Sequence, residues 1–365
     1  MADMNKPLFD IDKPGMQVAL DSYKPGTGLA WAQLFPLKYT SSFDLKGIEG
    51  NEGIPVAADR VAFNTKSPKK TRKTIGTWSG RLGKYSVSRE KDEREINDYN
   101  DLVVKAAANT EDAALAREIV DVIYDDVQFC NDAINYKVEI DAMRIGSSGK
   151  QTFPAEIEGD MATQDEINFN VPAENFGGAS VAWSNAANAD GLKDIAMWAD
   201  KIAKKGGRRP RYAIMEKAKF NELCEQKSVA RRLFPRYDQN LVTSDMVTLE
   251  AVNRYNSTKG YPTILVIDTY ATIEHKDGRQ ETIKPWNEAV VVLSPEPRLG
   301  YTYYKTVPNV PNTAAVQAYG AFFKTTRYSA LNPMLEVTMA ECYVQPALSN
   351  RASLVFINTT KTTWR

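Results

Sequence analysis

The chain has 365 residues, 43% hydrophobic and 10% aromatic, enough apolar material for two or three compact units, which excludes a disordered chain. Lys plus Arg equals Asp plus Glu at 46 each, so no global charge draws it to nucleic acid or to an anionic membrane. A single histidine, His275, excludes His-based triads and most His-based metal sites, and Cys130, Cys224 and Cys342 stand apart without a CxxC, reading as small core residues.

Residues 1–14 lack the basic-then-apolar pattern of a signal peptide, and the longest apolar runs, Ile264–Ile267 and Ala289–Leu293, have strand length. A soluble protein made in a cytoplasm, with no membrane partner, is expected. Residues 1–53 read as an extended arm, because its prolines and glycines leave no room for a long helix. The arm carries apolar anchors, Leu29, Trp31, Leu34, Phe35, Leu37 and Phe43, and should lie across the body or a neighbour. Residues 54–95 read as an extended loop. Val56–Phe63 is strand-like, and Lys66, Lys69, Lys70, Arg72 and Lys73 put five cations within eight residues at its tip. A solvated loop and contact with an acidic partner surface both fit that tip; nucleic-acid binding is the third reading, with no second basic stripe to support it. Glu90–Glu95 is a mixed charge run.

The dominant element is a helix over 111–145, opened by Thr110 with Glu111 and Asp112 and stopped at Gly146. Leu115, Ile119, Val122, Phe129, Ala133, Tyr136, Ile140 and Met143 recur at helical spacing, broken once by Asp126, and Ile123, Val127, Cys130, Ile134 and Val138 run beside them. The opposite line, from Glu118 through Asp121, Asp125, Gln128, Asp132 and Asn135 to Glu139, is polar throughout and is expected to be a wet face, with a docking surface for cations as the alternative. At about 1.5 Å per residue this helix is about 50 Å long and forms a spine for sheets on either side.

After the spine, Thr152–Glu158 and Ile167–Val171 are strand candidates. The stretch 185–312 alternates helices over 188–204, 216–225 and 245–255 with strands at 211–215, 263–270 and 288–293, the pattern of a compact α/β unit. Asp277-Gly278 marks a hairpin turn, with His275 an exposed turn residue. Residues 317–326 and 335–343 are long strands separated by 327–333; Leu354–Asn358 ends the fold, and 359–365 is expected to fray.

No chemistry-bearing motif survives inspection. Gly149-Lys150 lacks the earlier glycine and the Ser/Thr of a phosphate-binding loop, and it follows a helix. Asp125 and Asp126, adjacent on a helix, point apart. No catalytic, cofactor-binding or metal residues are assigned, and a non-enzymatic protein is expected.

The order of arm, basic loop, long helix, α/β block and returning strands resembles that of tailed-phage capsid proteins, and more closely the lambda-type major capsid protein family. Carrying the resemblance are Leu34-Phe35-Pro36, Lys204–Phe234 with its Tyr212–Met215 strand and Arg-Arg-Leu-Phe close, and Ala271–Leu293 with Lys284-Pro285-Trp286. Gly300–Tyr304, Arg327-Tyr328, Asn332-Pro333, Glu336–Met339 and Gln345–Leu348 complete it, so it spans roughly residues 30–360 as an ordered set. The longer loop after the basic tip and the C-terminal extension depart from it.

The resemblance implies an α+β, HK97-like capsid fold. Its parts are an N-terminal arm (1–53), an extended loop (54–95), a peripheral domain with the spine helix (96–184), a central axial domain (185–312), and returning peripheral strands with the C-terminus (313–365). It implies a major capsid protein that assembles into pentamers and hexamers of an icosahedral shell around double-stranded DNA. Implied partners are copies of itself, a portal, a scaffold and a decoration protein, with DNA touched non-specifically. The protein would reside in the virion after synthesis in host cytoplasm. Inter-subunit contacts fall to the basic tip, to the arm anchors Trp31, Leu34 and Phe35, and to a peripheral hairpin tip of Arg327, Tyr328 and Asn332. Removing residues 1–40 is then expected to leave a folded subunit that fails to close a shell. An encapsulin-like nanocompartment shell and an α/β enzyme without a recognisable motif remain as alternatives.

Overall fold

The computed structural model describes residues 6–9, 12–23, 28–47, 78–108, 113–152, 166–236, 243–275, 278–311 and 313–364. The N-terminal part carries α1 (Lys13–Ser22), α2 (Trp31–Leu34), β1 (Leu37–Tyr39), β2 (Asp44–Gly47), β3 (Trp78–Arg81), β4 (Gly83–Lys91) and α3 (Glu93–Ala108). Next come α4 (Ala113–Ser148), β5 (Lys150–Thr152), β6 (Glu166–Asn168) and β7 (Phe176–Gly178). The central stretch holds α5 (Gly191–Lys204), β8 (Tyr212–Glu216), α6 (Lys217–Glu225), α7 (Lys227–Leu233), α8 (Leu249–Lys259), β9 (Thr263–Ile267), β10 (Ala271–Glu274), β11 (Gln280–Ile283) and β12 (Val290–Ser294). β13 (Gly300–Lys305), β14 (Val316–Tyr319), β15 (Phe323–Leu331), β16 (Met334–Leu348) and β17 (Val355–Asn358) complete the chain.

Two sheets divide the strands. The larger runs β1-β13-β16-β15-β14, with β4 also paired to β16. The fifteen-residue β16 takes β15 and β4 along its first part and β13 along its second. Across its face lies α4, whose Ile123, Val127, Ile134, Val138 and Met143 share one core with Ala340, Cys342 and Val344 of β16. The smaller sheet, β7-β17-β12-β8-β9, shares a second core with α5. There Leu192, Ile195, Ala199 and Ile202, spaced three and four apart, meet Met215, Leu293 and Ile357.

The spine is present, but its end differs from expectation. α4 continues through Gly146 to Ser148, and Gly149 stops it, with a left-handed φ of +76° and its N–H on the Ile145 carbonyl at 2.9 Å. Gly146 serves packing: a Cβ there would come within 3.0 Å of Trp286 and 3.1 Å of Leu299. The proposed opening residues Thr110, Glu111 and Asp112 lie outside the described residues.

Other expectations are corrected too. The arm is not wholly extended, because Pro14 sits in the first turn of α1, where its missing N–H costs nothing, and Asp12 caps that turn through Gly15 N at 2.7 Å. Residues 83–95 form β4 and open α3. The mixed charge run holds a capping box: Asp92 Oδ1 accepts from Glu95 N (3.1 Å), and Glu95 Oε2 accepts from Asp92 N (3.0 Å). β17 joins the smaller sheet, not the returning strands, and β13 joins the larger one. Residues 359–364 are packed instead of frayed: Trp364 lies 4.9 Å from the Phe176 ring and the Lys361 carbonyl accepts from Ala179 N. His275 is largely covered and lies 2.9 Å from Glu281. Val56–Phe63 and Asp277 lie outside the described residues.

Two edge strands are closed by side-chain amides. Gln17 of α1 donates to Tyr319 O (2.9 Å) and accepts from Tyr319 N (3.2 Å) on β14. Asn253 of α8 donates to Ile264 O (3.0 Å) and accepts from Ile264 N (2.7 Å) on β9. Each amide completes the hydrogen bonding of one edge residue as a neighbouring strand would.

Candidate inter-subunit surfaces

The arm anchors are part of the subunit's own core. Trp31 and Leu34 are 3% and 5% exposed, and Phe35 is fully buried. α2 has no side-chain cap of its own; its first N–H groups point at Glu139, which accepts from Trp31 N at 2.7 Å and from Ala30 N at 3.0 Å. Trp31 meets Phe322 edge-on at 5.5 Å, and Leu34 O accepts from Leu299 N at 2.8 Å. The polar row of α4 is therefore wet only along its first half. Glu118, Asp121, Asp125 and Gln128 are exposed, whereas Asn135 and Glu139 are buried. Burial pushes the Glu139 carboxyl above its ordinary range, against the lowering effect of its N–H donors.

The hairpin expectation fails for two of its three residues, Arg327 and Tyr328. Arg327 is not at a tip; it lies within β15, fully buried, with Nε 2.8 Å from Glu336 Oε1 and a further bond to Ile123 O. Tyr328 also lies within the strand, and of the three only Asn332 reaches the turn. Residues 331–334 are all exposed, Asn332 among them, and the large apolar side chains there are Leu331 and Met334, 67% and 40% exposed. The β pattern of residues 323–331 is unbroken, so Arg327 takes the strand's inward alternation and the sheet supplies a carboxylate.

That carboxylate also holds the N-terminal segment. Leu8 N donates to Glu336 Oε2 (2.9 Å), Ser329 Oγ donates to Lys6 O (2.6 Å), and Phe9 stacks on Tyr99 at 4.0 Å. Burial raises the Glu336 carboxyl above its ordinary range; the Leu8 and Phe9 N–H groups and Arg327 offset only part of this.

Further buried charges tie α4 and β4 to the sheet. Asp126, the break in the apolar row, is 1% exposed and pairs with Lys91 at 2.7 Å and Arg89 at 3.3 Å. Glu341 lies between Lys324 (2.8 Å) and Lys84 (2.9 Å); burial opposes its charge, but the two ammonium groups prevail and hold it below its ordinary range. Burial pushes the Cys130 and Cys224 thiols up to about 11 and Cys342 higher still, which leaves them inert core residues. Among the described residues no group of His, Cys, Asp or Glu could hold a metal, and no helix is long and apolar enough to cross a membrane. The basic tip, Lys66, Lys69, Lys70, Arg72 and Lys73, lies outside the described residues, between β2 and β3, which pair antiparallel.

No protein-family model matches the chain, and no curated protein sequence does. Solved structures do match. One, a proposed capsid protein of a prophage from E. coli CFT073, superposes with a TM-score of 0.56 at 14% identity, over 95% of this chain and 99% of that one. The chain has the HK97-like capsid fold. A phage-related protein from Bordetella bronchiseptica RB50 superposes with a TM-score of 0.53 at 14% identity, over 96% and 98% of the two chains.

Proposed function

We propose that this chain is the major capsid protein of a tailed phage or prophage, assembling with copies of itself into the pentamers and hexamers of an icosahedral shell around double-stranded DNA. The observation that carries this is the fold match over 95% of this chain and 99% of a prophage capsid subunit. Its zero formal net charge supports the reading, since a container for DNA gains from not gripping it. Its role is structural, its place is the virion, and portal, scaffold and decoration proteins are its expected neighbours. The basic tip (Lys66, Lys69, Lys70, Arg72, Lys73) and the turn at Asn332 are the proposed contact points between subunits. The arm anchors act indirectly, by fixing α2 to the body.

The test is velocity sedimentation of the purified protein over a concentration series. A cooperative jump from subunit or capsomer to particles of megadalton mass is expected. A species that stays a monomer or small oligomer at every concentration would remove the shell reading.

A further inference from the structure

The larger sheet has a nine-residue edge. β4 pairs with β16 on one side and with no other strand among the described residues. Every second residue of such an edge holds out an N–H and a C=O that a further strand can pair. Other edges of the two sheets are short or covered. Gln17 and Asn253 seal β14 and β9, the backbone of residues 361–363 lies against Gly178 of β7, and β1 has three residues.

Side chains of β4 alternate between two faces. Tyr85, Arg89 and Lys91 lie on the α4 face, where they meet Asp141, Asp125 and Asp126, and Val87 shares that face. Charges balance there: Arg89 and Lys91 pair with Asp125 and Asp126, and Lys137 with Asp141. Lys84, Ser86, Ser88 and Glu90 lie on the other face, all exposed, and its charges do not balance. Lys84 and Lys324 share the single Glu341, which leaves one positive charge in excess. Glu90 pairs with no cation among the described residues.

These charges select a second copy of the same strand. Two β4 strands run antiparallel across a two-fold axis meet with like faces together. With Val87 opposite Val87, Ser86 faces Ser88, Tyr85 faces Arg89, and Glu90 faces Lys84 on both sides of the axis. No like charges are opposed, since Lys91 falls opposite Gly83. Moving the centre to Ser86 or Ser88 sets Glu90 opposite Leu82 or Ser86 instead, so the charges fit the register centred on Val87. Phe129 of α4, 46% exposed and 4.9 Å from the Arg89 guanidinium, adds an apolar surface beside the edge. We propose that β4 pairs antiparallel with β4 of a second copy about a two-fold axis at Val87, joining the larger sheets of two subunits. This rests on the self-assembly reading above and names one of its contacts.

The test is oxidative cross-linking of associated protein carrying Val87→Cys. Residues directly opposite in an antiparallel pair have Cα atoms about 4.5–5.5 Å apart, within the span of a disulfide. Cys130, Cys224 and Cys342 are buried and give the silent background. Val87→Cys is expected to yield a disulfide dimer on a non-reducing gel. Ser88→Cys alone, with its Cα atoms about 7–8 Å apart across the axis, should yield about tenfold less. Mixed Ser86→Cys and Ser88→Cys subunits should cross-link to each other, which reads the same register if Val87→Cys does not fold. Adding Glu90→Lys should lower the Val87→Cys yield about fivefold, and adding Lys84→Glu as well should restore most of it. Particles in which Val87→Cys cross-links no better than Ser88→Cys, and the mixed subunits stay silent, overturn the proposal and assign the edge to another segment or partner. Dimers that cross-link yet never grow into particles keep this contact and sink the shell reading instead.

Discussion

At the residue scale, the buried Arg327–Glu336 pair is the costliest single interaction to break. Both side chains are fully buried, and Glu336 also receives the Leu8 N–H. Arg327→Leu would strand a carboxylate in the core, at a cost of about 3–5 kcal/mol. Lys84→Met removes a half-exposed partner of Glu341, which keeps Lys324, and should cost about 0–1 kcal/mol. Urea midpoints of the two variants check this, and equal shifts would contradict the placement of Arg327. Glu139 supplies a second test. Its raised pKa means the folded state holds this proton more tightly than the unfolded chain, so the group lowers stability as pH climbs above the ordinary carboxylate range. Glu139→Gln cannot titrate. Relative to the wild type it should therefore gain stability from pH 4 to pH 7, read by denaturant melts at each pH; a constant difference would mean that Glu139 is not perturbed.

At the element scale, the two amide-sealed edges make a directional prediction. Gln17→Ala exposes the backbone of Tyr319 on β14, and Asn253→Ala that of Ile264 on β9. Each loses about 1–2 kcal/mol from two hydrogen bonds, and each opens an edge to strand pairing with another chain. Thioflavin binding and turbidity on mild heating should rise in both variants; unchanged turbidity would show that other features guard the edges. Much of the element order was legible from periodicity: the spine, the α5 face, the hairpin around Gly278 and the strands β8, β9 and β12. What was not legible depends on tertiary partners. Nothing local marks Gly146 as a packing glycine instead of a stop, because Trp286 and Leu299 come from far along the chain. Glu139 looks like its exposed neighbours until α2 needs a cap. Arg327 looked like a turn residue because a buried arginine needs a carboxylate that only the adjacent strand reveals. The capping box of Asp92 and Glu95 was available in the sequence and was obscured by its charged surroundings.

At the scale of the whole molecule, the arm is structurally continuous with the body. Trp31, Leu34 and Phe35 belong to the main core, and β1 extends the larger sheet. Removing residues 1–40 should therefore yield an insoluble or unfolded chain, not the folded, assembly-deficient subunit expected from the sequence. Soluble yield and far-ultraviolet circular dichroism decide it: a soluble, cooperatively melting truncation would contradict the core assignment. The central claim is that this subunit is built to close a shell with copies of itself. Electron microscopy of the purified protein, under conditions that drive association, tests it most directly. The account predicts closed particles of uniform diameter whose averaged images carry icosahedral symmetry, with the long α4 helix lying within the shell wall. Particles that are open, irregular or absent would contradict it.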